Sequence, residues 1–253
     1  MALPTSKDTP IKKTHTTPDL LSDDYIIRAA SENMSESVKK IVKGVRGPFV
    51  QNVVQTCRDF LPFGFHWDTK RLAYIIKGHY NGKQKGNPCV KKLRDVVFMI
   101  FRNGVINAVG GKSIPQNVYC LHMMLRRLRR LCGFRMVVHD LSVKNILSTC
   151  YMDHTVDIPS MKEELGLAVY DPEKISFIKI CLAVTGGYVT CLIFDSGNMV
   201  FMQATNYEQL NEARDVLAPY VARFTLRPLT EEEKLKTAKT AVNIIHRLVI
   251  QTK

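Results

Sequence analysis

Between polar flanks, Val143 to Cys150 reads as a strand carrying Val143, Ile146, Leu147 and Cys150, and Ile175 to Val184 is a β-rich run. Between them, Ser160 and Glu163 form a capping-box pattern that predicts a short helix ending near Tyr170-Asp171-Pro172. Thr185-Gly186-Gly187 reads as a turn, Tyr188 to Phe194 as a strand, Asp195-Ser196-Gly197-Asn198 as a tight turn and Met199 to Ala204 as a further strand. A helix follows from about Tyr207 to Val221, with Leu210, Ala213, Leu217 and Tyr220 along one face. The first half of the chain carries the same signals. Asp68 caps a helix with Leu72, Ile75 and Ile76. Asp95 to Phe101 and Val105 to Val109 are strands about the turn Arg102-Asn103-Gly104. Ser113 and Gln116 open a helix lined by Val118, Leu121, Leu125 and Leu128.

The two halves superpose in sequence at a fixed offset of 93 residues. Gln51-Asn52-Val53-Val54-Gln55-Thr56-Cys57 falls on Lys144-Asn145-Ile146-Leu147-Ser148-Thr149-Cys150, and Ile100-Phe101-Arg102-Asn103-Gly104 on Ile193-Phe194-Asp195-Ser196-Gly197. This predicts an internal duplication, with copies over about 46–134 and 135–227. The stripe of the last helix runs one residue out of that register, a blemish on the symmetry. Strand, helix, three hairpin-linked strands, helix, taken twice, predicts an α+β fold. Two copies joined edge to edge make one curved antiparallel sheet, a saddle with helices on its convex face and the other face open for function. Residues 1–45 read as a polar, flexible extension with a short helix near Ser35 to Val45. Residues 228–253 read as an added helix, capped by Thr230 and Glu233, with Leu235, Ala238, Val242, Ile245 and Leu248 on one face.

Thirty-six Lys and Arg against 23 Asp and Glu give a formal charge of +13, which favours a polyanionic partner, nucleic acid ahead of an anionic membrane. No apolar run is long enough to span a bilayer, and the polar first 17 residues lack a signal-peptide stretch, so an intracellular protein is expected. The seven cysteines form no Cys-x-x-Cys pair and read as reduced thiols, several of them core residues.

The duplicated motifs resemble the TATA-binding protein family of transcription factors. In that family each repeat opens on Gln-Asn followed by β-branched residues, as in Gln51-Asn52-Val53-Val54 and, with one change, Lys144-Asn145-Ile146-Leu147. An Ile-Phe-x-Ser-Gly turn recurs at Ile193 to Gly197 and nearly so at Ile100 to Gly104. Tyr170-Asp171-Pro172-Glu173 looks like the stirrup of the family's second repeat. The similarity covers roughly residues 46–227. It implies double-stranded DNA, bound through an A·T-rich minor groove and bent, with a general transcription factor B-like protein and the polymerase machinery as partners and no cofactor. The nucleus is the implied compartment. The divergent core with its added ends resembles versions encoded by large DNA viruses, whose compartment is a cytoplasmic viral factory.

The resemblance assigns roles residue by residue. Asn52 and Asn145 become a central pair of amide donors, and A·T pairs offer only acceptors in the minor groove. Val54, Met99, Val109, Leu147, Leu192 and Met202 become an apolar carpet. Val109 and Met202 stand where the family normally holds Thr. Phe101 and Phe194 become wedges between base steps, with Ile175 in place of a second Phe in copy two, Phe177 nearby and no aromatic near Pro88 to Val90 in copy one. Lys91, Lys92, Arg94, Arg102, Lys144 and Lys179 are the expected phosphate contacts, with Lys83 and Lys85 in the same basic hairpin. Asp171 and Glu173, and the convex residues Arg126, Arg127, Arg129 and Arg130, are the expected partner surface. Each has a plainer reading: Asn bonded to backbone at a strand end, Phe in a core, charges on a solvated face.

Two rival functions stand beside this one. An enzyme would need a phosphate loop, His-Glu-x-x-His, Gly-x-Ser-x-Gly or clustered carboxylates. Asp140, Asp153, Asp157 and Asp171 form no duplicated pair, so no catalysis and no metal are expected. The other rival keeps the fold and uses it to bind protein or RNA:DNA hybrid. The missing Phe and Thr residues favour it.

Overall fold

The computed structural model describes residues 34–59, 66–84, 86–133, 138–165 and 177–237. The residues singled out at Lys85, Tyr170, Asp171, Pro172, Glu173 and Ile175, and those at Ala238, Val242, Ile245 and Leu248, lie outside the described residues.

Two long strands, β1 (Arg46–Asp59) and β6 (Val138–Tyr151), pair antiparallel at the centre of a nine-stranded sheet. On one side follow β5 (Val105–Gly111), β4 (Val96–Ile100), β3 (Cys89–Leu93) and the short β2 (His79–Tyr80). On the other follow β10 (Asn198–Ala204), β9 (Gly187–Phe194) and β8 (Phe177–Val184). A small second sheet pairs β7 (His154–Val156) with β11 (Thr225–Pro228). The strand order is therefore nearly two-fold about the β1–β6 seam, as the sequence duplication predicts.

The described helices with buried faces lie on one side of the large sheet. Helices α2 (Thr69–Ile75) and α3 (Ile114–Cys132) cover copy one, where Leu72, Ile76, Met124 and Leu128 pack on Phe98, Ile100 and Ile106. Helices α4 (Ile158–Glu164) and α5 (Tyr207–Ala222) cover copy two, where Met161, Leu210, Leu217 and Val221 pack on Ile180, Cys191 and Phe201. Each such buried side chain contributes roughly 1.5–3 kcal/mol. Helix α1 (Glu36–Lys43), capped by Ser35, lays Val38, Ile41 and Val42 against the second core. The architecture is one large antiparallel sheet with its described helices on one face, the α+β arrangement the sequence predicts.

The caps follow the sequence at three of four helix starts. Asp68 accepts from the Arg71 N–H, Ser113 from the Gln116 N–H, and Thr230 and Glu233 satisfy each other's backbone donors ahead of a helical segment over 231–237. The fourth is a correction. Helix α4 starts at Ile158, ahead of the expected Ser160–Glu163 box, because the Asp157 carboxylate accepts both the N–H and the hydroxyl of Ser160. Those two bonds also hold the Asp157 carboxyl below its ordinary pKa.

The one-residue blemish also disappears. The buried stripe of α3 is Asn117, Cys120, Met124 and Leu128, and at the 93-residue offset it meets Leu210, Ala213, Leu217 and Val221 of α5, all buried. Apolar pattern alone selects Leu125, one position over from Met124, and passes over Asn117 because it is polar. Asn117 lies under the sheet, donating from Nδ2 to the Val53 carbonyl.

Candidate nucleic-acid interface

Period-two alternation divides the side chains between two faces. Val53, Cys57, Ile146 and Cys150 of the central strands point to the helices, so Asn52, Val54 and Thr56 and their counterparts Asn145, Leu147 and Thr149 point the other way. In β4 and β9 the same rule sends Val97, Met99, Thr190 and Leu192 to that face, and Phe194 follows at the end of β9. No described helix packs on it.

At its centre sit the two asparagines, each bound in the same way. Asn52 Oδ1 accepts from the Gly110 N–H at 2.8 Å, and Asn145 Oδ1 accepts from the Gln203 N–H at 2.7 Å. Gly110 and Gln203 are themselves 93 residues apart, so the two bonds are symmetry mates. The ladder slips at both places, between Val53 and Val54 opposite β5 and between Phe201 and Ala204 opposite β6, which is what turns those N–H groups out of the sheet. A backbone N–H can only donate, so it fixes which end of each amide faces inward. Nδ2 is left as the outward group, and among the described residues it has no partner. The plainer sequence reading, an Asn bonded to backbone, is thus true of the oxygen, and it orients the nitrogen.

The apolar side chains expected to form the carpet share this face, and in copy two Leu147 and Leu192 are buried. Leu147, Leu192, Phe194 and Val200 form a cluster of their own, at most 6% exposed, with Phe177 and Met202 against it. Copy one is looser: Val54, Phe101 and Val109 are half-buried and Met99 is buried. It is also more polar, because Asn107 stands where copy two has Val200, its Oδ1 taking the Thr56 hydroxyl.

Phe101 and Phe194 lie at corresponding ends of the sheet. Opposite Phe194 in the β8–β9 pair is Phe177, ring centroids 5.5 Å apart. Register therefore puts Phe177 beside Phe194, where the resemblance points to Ile175. In copy one Cys89 pairs with Ile100, so Pro88 precedes it where Phe177 stands in copy two. One end of the sheet offers two rings and the other a ring and a proline.

The basic residues divide. Lys92 and Lys179 are exposed on the open face, opposite Val97 and Leu192. Lys144, at a slip in the β1–β6 ladder, and Arg102, in a turn, are exposed too. Lys91 is a correction: it alternates to the helix side and donates from Nζ to the Lys77 carbonyl at the end of α2. Arg94 is another, for its guanidinium lies over the Tyr119 ring of α3, 5.2 Å from the centroid. On the convex face Arg126, Arg129 and Arg130 are exposed, whereas Arg127 reaches back to the Ile76 carbonyl and ties α3 to α2. Sequence reasoning also missed Asn107, Thr190 and Gln203, all on the open face. A signal for Gln203 existed, as the residue in register with Gly110.

Among the described residues no group of three or more His, Cys, Asp or Glu could hold a metal, and no helix is long and apolar enough to cross a membrane.

Residues 140–224 match the family model described as transcription factor TFIID, or TATA-binding protein. The chain is 24% identical to TATA-box-binding protein-like 1 of Entamoeba histolytica over 195 residues, 74% of this chain and 86% of that protein. It is 25% identical to the TATA-box-binding protein of Saccharomyces cerevisiae over 207 residues, 80% of this chain and 82% of the other. The solved Methanococcus jannaschii TBP superposes with a TM-score of 0.55 at 21% identity, covering 71% of this chain and 98% of that one, a likeness of fold. The chain is thus similar to TATA-binding proteins, over its second half by the family model and over most of its length by the pairwise comparisons.

Proposed function

We propose that this protein is a transcription initiation factor that binds promoter DNA by the minor groove, bends it and recruits further transcription proteins. The observation that carries the reading is the pair of fixed amides: Oδ1 of Asn52 and of Asn145 is held by a backbone N–H, and both Nδ2 groups lie on the face of the sheet that no described helix covers. An outward donor suits the A N3 and T O2 acceptors of either A·T orientation and meets a competing donor at G·C. Around them Val54, Met99, Val109, Leu147, Leu192 and Met202 give the apolar surface that suits sugars and base edges. Lys92, Lys179, Lys144 and Arg102 are the phosphate contacts in this reading. Phe101 and Phe194 act as wedges, with Phe177 deepening the second and Pro88 leaving the first shallow, so the bend is unevenly shared. Arg126, Arg129 and Arg130 offer the convex face to a partner protein, and Asp171 and Glu173 to a factor B-like protein.

A second reading rests on Val109, Met202 and Pro88, which give the floor fewer polar and aromatic contacts than the resemblance leads one to expect. It keeps the fold and assigns it to protein or hybrid binding. Gel shifts on A·T-rich, G·C-rich and RNA:DNA hybrid duplexes across a salt series separate the two. The first reading expects the A·T-rich duplex to bind best, with affinity falling steeply in salt. Binding that ignores duplex type would overturn it.

A further inference from the structure

The near-symmetry of the floor is broken at one residue beside the central asparagines. Gly110, at φ 109°, supplies the N–H that holds Asn52. Its mate in copy two is Gln203, which supplies the N–H that holds Asn145 and adopts φ 71°. That backbone region suits glycine and strains any residue with a Cβ. A glutamine kept there carries a cost that glycine in copy one avoids, and such outliers cluster at functional sites. The side chain is also held. Thr190 donates its hydroxyl to Gln203 Oε1 at 2.6 Å. The mate of Thr190 in copy one is Val97, which has no such group, so both halves of this bond are peculiar to copy two.

Gln203 is exposed, and Thr190 lies on the open face, so the amide lies there as well. With Oε1 engaged by Thr190, Nε2 is the end left to donate, and among the described residues it has no partner. It thus presents a second donor on the face that carries Asn145. The second amide of copy one, Asn107, sits three residues back along its own strand from Gly110, toward the turn at Arg102 and Asn103. The floor therefore carries its amides unequally about the seam.

We propose that Gln203 is a further base-contacting residue, whose Nε2 donates to a minor-groove acceptor next to the one taken by Asn145, and that this contact gives the bound protein a direction on the duplex. The inference rests on the minor-groove reading above. The half-site under copy two then demands A·T at two neighbouring positions, where copy one sets its second amide, Asn107, three residues further along its strand.

The test uses the full chain, an asymmetric A·T-rich duplex and single replacements of adenine by 3-deazaadenine, which exchanges the N3 acceptor for C–H. The wild-type protein is expected to lose roughly five- to tenfold in affinity at an off-centre adenine, the size of one hydrogen bond. Gln203→Gly is expected to bind the parent duplex more weakly by the same factor and to lose nothing further at that adenine, while remaining sensitive at the central steps. Because glycine relieves the backbone strain, Gln203→Gly should also melt no lower than wild type, so weaker binding is not misfolding. Thr190→Val, which releases Oε1, should fall between the two. A Gln203→Gly protein that matches wild type on every analogue would overturn this inference alone. Failure of the wild-type chain to discriminate any minor-groove analogue would overturn the parent reading, and this one with it.

Discussion

Asn52→Asp and Asn145→Asp each exchange one NH2 group for an oxygen and leave the shape of the side chain alone. In the fold, the aspartate keeps the acceptor that Gly110 and Gln203 use, now as a charge-assisted bond. Against this stands the cost of placing a carboxylate in the floor, greater at Asn52, which is 6% exposed, than at half-buried Asn145. The stability loss should therefore be larger for Asn52→Asp than for Asn145→Asp. In the complex, each variant removes a donor from a base acceptor that has already lost its water, about 1–3 kcal/mol per site. Two sites give about 2–6 kcal/mol, or at least roughly thirtyfold in affinity before repulsion from the phosphates is added. Alanine makes the informative contrast. It deletes the donor without adding charge, and it also strips Gly110 and Gln203 of their acceptor. The double Asp variant should therefore bind more weakly than the double Ala variant. Fluorescence anisotropy on an A·T-rich duplex, with thermal unfolding of the same samples, reads both quantities. A folded double Asp variant that binds within threefold of wild type would refute the reasoning, because the outward Nδ2 groups would then contact nothing.

Three further outcomes follow from the same geometry. Lys92→Ala and Lys179→Ala should each flatten the plot of log affinity against log salt by about 0.9, one phosphate contact apiece, while Lys91→Ala, whose ammonium is spent on the Lys77 carbonyl, should leave the slope unchanged; equal slopes for all three would remove the open-face assignment. Phe194→Ala should cost about 3 kcal/mol in unfolding stability, since its ring belongs to the closed cluster with Phe177, and should reduce the bend read by energy transfer across an end-labelled duplex more than Phe101→Ala does; an unchanged angle would place neither ring between bases. Burial pushes the Cys89 thiol up to about 11 and Cys150 to about 12 from an ordinary value of 9.0, so the unfolded chain releases these protons first; stability should hold below pH 9 and fall as pH rises from 9 toward 12, and a flat denaturation midpoint across that window would count against their burial.

Much of this molecule is legible in its sequence because it is written twice. The repeat at Asn52 and Asn145, with the Phe turns, carries the strand order, the pseudo-two-fold and the face proposed to meet DNA. Alternation then assigns Val54, Leu147, Met99 and Leu192 to that face. Sequence reasoning fails where local pattern competes with register or long-range contact. Lys91 and Lys92 are neighbours of one chemistry, yet the pleat sends them to opposite faces. Arg94 and Arg127 look like free charges in sequence, and are held by an aromatic ring and a helix end that lie close only after folding. The resemblance points to Ile175 for the second wedge, whereas the residue paired with Phe194 is Phe177, a partner that only the β8–β9 register displays. Gln203 stands in register with Gly110 in the sequence, but the positive φ and the Thr190 bond that single it out appear only in the folded chain.

Inosine offers the sharpest trial of the whole picture. An I·C pair shows the major groove of G·C but lacks the 2-amino group that G·C projects into the minor groove. Affinities should be measured for one site written in A·T, in G·C and in I·C at a single salt concentration. If the sheet reads the minor groove through amide donors, I·C binds like A·T and G·C falls well behind. If I·C binds like G·C, the protein is not reading that groove, and Asn52 and Asn145 do not contact its bases.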